Sequence, residues 1–98
     1  MMHRVRTATA NDTTPSVSKI DRLIIPGTWT AGNNITAFDD GFDGQELFIV
    51  GGDADCVVVD GAGLALNGNW TATSGNTLTI VYIADLSSWF EKCRSPNS

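Results

Sequence analysis

Hydrophobic residues in this chain come in short runs that alternate with polar ones and are cut roughly every 8 to 12 residues by turn-forming residues. No window of about 11 residues keeps an i, i+3, i+4, i+7 apolar stripe free of glycine, so the period is that of strands and not of helices. The pattern predicts a first strand over Lys19 to Ile25, closed by Pro26-Gly27, then short strands over Thr28 to Thr30 and Asn34 to Phe38. After the acidic run Asp39 to Gly44 comes Gln45 to Val50, read as buried on both faces, with Leu47 and Ile49 opposite Phe48 and Val50. Cys56 to Val59 and Leu64 to Leu66 follow, and Asn67-Gly68 is a hairpin-type dipeptide leading into Trp70 to Thr73. The cleanest alternation lies in Thr77 to Ile83, where Leu78, Ile80 and Tyr82 take one face. Trp89 to Arg94 is the last predicted strand.

The fold class is therefore all-β: a short-strand sandwich or small barrel, with a β-solenoid or β-prism as the alternative, since periodicity does not choose among them. Residues 1–18 have no usable hydrophobic period and read as an extended N-terminal arm, and residues 19–98 as one all-β domain.

Composition adds a reason to expect assembly. Thr, Ser, Asn and Gly make up 35 of 98 residues, and there are only two Lys. Long charged side chains would have to be ordered or desolvated where β-faces pack together, and small polar ones avoid that cost. Charge is also divided along the chain. Arg4, Arg6, Lys19 and Arg22 lie near the start, while Leu23 to Glu91 carries nine acids and no Lys or Arg. An acidic body of this kind repels phosphate, which argues against nucleic acid as a partner. The basic arm suits an acidic protein surface, and those four cations are the candidate partner-binding residues. Met1 to Ala10 is polar and basic where a secretory segment would be apolar, and no run approaches about 18 apolar residues. The expectation is synthesis in the cytoplasm, no membrane partner, and thiols at Cys56 and Cys93 that act as small buried hydrophobes.

Candidate chemistry is sparse. His3 is the only histidine and lies in the arm, whereas nucleophilic triads need an imidazole fixed beside the nucleophile. Asp39, Asp40, Asp43 and Glu46 form one acidic cluster and Asp53, Asp55 and Asp60 another, but both sit among glycines where Asp caps local N–H groups. Neither has the spacing of a known calcium loop. Gly61-Ala62-Gly63 lacks the third glycine of a nucleotide fingerprint. No enzyme activity, cofactor or metal is expected. Trp29 and Phe42, beside glycine-rich turns, are the candidate interface or ligand-stacking aromatics.

Taken in order, Ile35-Thr36, Gly44-Gln45, Leu47 to Val50, Asp60-Gly61, Leu64 to Leu66, Thr77 to Tyr82 and the Trp89-x-Glu91-x-x-Arg94-Ser95 close form a series. That series, over residues 13–95, resembles a module recurring in phage tailspikes, tail fibres and related β-helical virion proteins. The resemblance implies a structural, usually trimeric, role and carries over no catalytic residue. Modules of that family usually close a long chain, whereas this one follows only a short basic arm. On that departure the expected protein is a homotrimeric head decoration (cement) protein located in the virion and bound to the major capsid protein or another virion protein. The alternative is a tail-fibre or tailspike tip that binds a host-surface glycan.

Overall fold

Parallel strands laid side by side at long sequence separations define the architecture of the computed structural model, which describes residues 4–95. The strands are β1 (Val5–Thr7), β2 (Arg22–Ile24), β3 (Glu46–Val50), β4 (Val57–Val58), β5 (Leu64–Ala65), β6 (Trp70–Thr71), β7 (Thr77–Ile83) and β8 (Ser88–Ser95), with one 3-10 turn at Ala84–Leu86. The protein is all-β. Six strands form one sheet in the order β1-β2-β3-β7-β8-β5, and β4 and β6 form a second.

β1, β2 and β3 are mutually parallel, with Val5 beside Arg22 and Arg22 beside Phe48. Parallel bridges also join Ser16 to Asp39 and Ile35 to Val58. The chain thus returns parallel to itself at separations of 17 to 26 residues. The antiparallel strands β7 and β8 extend the sheet from β3, and β5 adds parallel to β8. No closed barrel forms, so of the expected architectures the barrel is set aside.

One core lies between the two sheets. Leu23, Leu47, Ile49, Leu78 and Ile80 enter it from the large sheet, Val58 and Trp70 from the small one and Ala72 from just after β6, all at most 2% exposed. Trp89 packs edge-on against Phe38, ring centres 6.0 Å apart, and tilted against Tyr82 at 5.1 Å. Where Gly51 and Gly52 pass the core rim, backbones touch: a Cβ on Gly52 would fall on the carbonyl oxygen of Ile25, and one on Gly51 on that of Thr73. Only glycine permits this crossing.

Several strand expectations change. Thr28 to Thr30 and Asn34 to Phe38 are irregular apart from the bridge at Ile35. Asn67-Gly68 makes a bend but no hairpin: β5 pairs with β8, and β6 with β4. β3 is buried on one face only, because among the described residues nothing covers the other side of the large sheet; Phe48 stands 36% exposed there.

The segment read as an arm lies, from residue 4 onward, along its own chain. β1 joins the sheet edge, the Ala8 N–H donates to the Ile24 carbonyl at 2.9 Å, and Val17 is fully buried. His3 falls outside the described residues.

Candidate interaction surface

The outward face of the large sheet is exposed or half-exposed across its strands among the described residues. Strand alternation puts Leu23, Leu47, Ile49, Leu78 and Ile80 inward, so their neighbours point out. Register then aligns them in rows. One row runs Val5, Arg22, Phe48, Thr79 and Cys93 across five strands; the next runs Thr7, Ile24, Val50, Thr77 and Ser95. Apolar and threonine side chains dominate both. Val5 is 48% exposed, and the Arg22 guanidinium lies 5.8 Å over the Phe48 ring, which covers part of it. On the same face Lys92 pairs with Glu46 at 3.1 Å, an ion pair open to solvent on both sides.

Two shallow hollows adjoin at Asp21. One, of about 300 Å³, is lined by Arg4, Lys19, Ile20, Asp21 and Phe42; the other, of about 430 Å³, by Asp21, Arg22, Glu46, Phe48 and Thr79. The structure therefore brings Arg4, Lys19 and Phe42 together, and sets Arg22 next to them. Phe42 projects from the acidic turn and is 55% exposed. Arg6 is engaged elsewhere: its guanidinium donates to the Ser16 carbonyl at 2.8 Å and reaches the Ser18 carbonyl at 3.5 Å. Trp29 is not an exposed aromatic. It is 4% exposed, with Nε1 donating to the Asn33 carbonyl at 2.6 Å and its N–H to Asp53 at 2.9 Å, so the glycine turn nearby folds it inward.

The acidic clusters serve turns. Asp53 accepts from the N–H groups of Trp29 and Asp55, Asp60 from that of Leu66, and Asp43 from that of Ala84. Asp40 accepts from the Ser16 hydroxyl at 2.6 Å. These four carboxylates are aimed at local backbone or a neighbouring loop. Among the described residues no group of three His, Cys, Asp or Glu side chains is placed to hold a metal ion. Nor is any helix among them long and apolar enough to cross a membrane.

Sequence reading missed two polar clamps. Buried Gln45 donates through Nε2 to the carbonyls of Val17 (2.8 Å) and Ile20 (2.7 Å), and its Oε1 accepts from the Phe42 N–H at 3.2 Å. Gly44, at φ 82°, turns the chain so that the side chain beside it points inward. Glu91 and Arg94 form the second clamp, which fastens the loop over residues 67–69. The signal for both was the Gly-Gln pair and the Glu-x-x-Arg spacing, polar residues inside strand patterns.

Both cysteines are free. Cys56 is buried, and that burial, with a smaller contribution from Asp53, pushes its thiol up to about 12. Cys93, expected to be buried, is exposed. A bulge in the β7–β8 register between Thr79 and Ile80 shifts the phase of β8, so Arg94 turns inward and Cys93 outward.

Comparison of the chain with family models, curated proteins and solved structures finds no match. The class that the fold defines is an all-β protein, in which, among the described residues, one face of the large sheet is left uncovered; no family is assigned.

Proposed function

We propose that this chain is a non-enzymatic structural protein of a phage virion, a head decoration protein that packs as a homotrimer on the major capsid protein. The observation that carries the reading is the outward sheet face. Four strands present exposed Val5 and Phe48, half-exposed Ile24 and Val50 and the intervening threonines with few charges, a surface whose burial would release ordered water over a wide, flat area. Support also comes from the parallel winding, which suits the β-helical virion proteins that residues 13–95 resemble. The apolar rows would be buried between copies in the trimer, and ion pairs from Arg4, Lys19 and Arg22 at the rim would give salt-sensitive attachment to the capsid.

The test is binding to capsids lacking their decoration protein. Stoichiometric attachment, lost on Phe48→Glu, supports the reading; absence of attachment together with labelling at the tail rejects the head location.

A second reading has one observation in its favour. Phe42 stands exposed beside Arg4 and Lys19, the arrangement of a stacking residue with polar flanks at a sugar site. It corresponds to a tail-fibre or tailspike tip that binds host glycan. Retention on a glycan array, abolished by Phe42→Ala, would favour it over the first.

A further inference from the structure

The two edges of the large sheet are finished differently. At one end, the outer side of β5 is closed by the chain itself: Leu64 and Gly61 exchange both backbone hydrogen bonds at 3.0 Å, and Asp60 takes the Leu66 N–H at 2.9 Å. That edge has no free row of backbone groups. At the other end, β1 has a single neighbour, β2, among the described residues. Its even-numbered positions face that neighbour, since the Arg4 carbonyl accepts from Arg22 and the Ala8 N–H donates to Ile24. By alternation the N–H and C=O groups of Val5 and Thr7 point away from the sheet. All three residues of β1 are exposed, and the strand carries no proline or bulge to blunt its edge.

Cations gather at this edge. Arg4 and Arg6 bracket Val5, Arg22 lies beside Val5 in register, and Lys19 shares the hollow with Arg4. Asp21 is the acid among them, and its Oδ1 accepts from the Arg4 N–H at 3.2 Å.

We infer that the β1 edge is a docking site for an extended, acidic segment of another protein, which adds to the sheet as a further strand. Backbone groups of Val5 and Thr7 would hydrogen-bond the incoming strand, and Arg4, Lys19 and Arg22 would select its acidic side chains. Pairing with the same edge of a second copy is disfavoured, because antiparallel pairing about Val5 would set Arg4 of each copy opposite Arg6 of the other. The inference stands on the edge and its charge, and does not rest on the virion reading.

The experiment uses the whole chain and an array of random seven-residue peptides. Retained peptides are expected to be rich in Asp and Glu, and adding one of them should shift the amide signals of Val5 and Thr7. Thr7→Pro and Val5→Pro each remove an outward N–H while sparing every bond to β2, so either is expected to lower capture at least about tenfold. Arg4→Glu combined with Lys19→Glu should do the same. Retention of nothing, retention of basic or uncharged peptides, capture unchanged by a folded Pro variant, or a dimer formed through β1 would each overturn the inference.

Discussion

Arg94 grips Glu91 side-on: Nε donates to one carboxylate oxygen at 2.8 Å and Nη2 to the other at 2.7 Å. The same guanidinium donates to the carbonyls of Gly68 and Asn69, and Glu91 accepts from the Asn67 N–H at 2.8 Å. The pair is largely buried, its side chains 14% and 9% exposed, and it ties the loop after β5 to the last strand. Glu91→Ala leaves a largely buried guanidinium without its counter-ion and is expected to cost about 2–3 kcal/mol, read from urea unfolding.

The same pair sets a pH dependence. The hydrogen bonds from Arg94, opposed by burial and aided by the Asn67 N–H, hold the Glu91 carboxyl below its ordinary value. A carboxyl whose pKa is lowered in the folded state adds stability that is fully present above the unfolded value and is lost as pH falls through the folded one. Stability should therefore hold above the ordinary carboxyl value of 4.5 and drop as pH falls below it, and Glu91→Gln should flatten that slope. An unchanged slope in Glu91→Gln would remove this pair from the acid response.

Gln45 is expected to be the most sensitive uncharged polar residue. Gln45→Leu keeps the volume and strands the carbonyls of Val17 and Ile20 and the N–H of Phe42. Such a loss should cost about 2–4 kcal/mol in urea unfolding. Gln45→Glu should be no better, since an ionised carboxylate donates nothing to the two carbonyls.

Two glycines separate close approach from mere turn chemistry. A Cβ at Gly52 meets the Ile25 carbonyl, whereas one at Gly61 meets nothing within 4 Å. Gly52→Ala is expected to cost about 3 kcal/mol or more and Gly61→Ala less than about 0.5 kcal/mol, compared by thermal unfolding.

The thiols should react in two separate steps. In the native protein a chromogenic disulfide reagent is expected to modify Cys93 alone, and Cys56 only after unfolding, because burial and its raised pKa keep it a protonated thiol. Rapid reaction of both would contradict the placement of Cys56 in the core.

The alternation in Thr77 to Ile83 carried its strand to the right bounds because one face is core and the other is not, the condition under which period 2 is informative. Leu47 was expected inside, but its strand was read as buried on both faces, and the open side at Phe48 was not legible. The β8 phase was not, since a bulge flips every later side chain and leaves no mark in composition. β1 escaped notice because Val-Arg-Thr offers a single alternation and its pairing partner lies 17 residues away. Parallel winding is a long-range property, and local periodicity does not encode it. As for the interaction surface, the cations and Phe42 could be singled out by charge and turn context, but Phe48 and Val5 needed the register. Glu46, two positions before Phe48, was the hint that this face of β3 is open.

The central claim is that the outward sheet face is covered by other copies of this chain. Light scattering on the purified protein measures that most directly. The expected mass is about three times the 10.4 kDa of one chain, collapsing to a single chain for Phe48→Glu with the fold intact. A stable monomer across the micromolar range, or a trimer indifferent to Phe48→Glu, would contradict it.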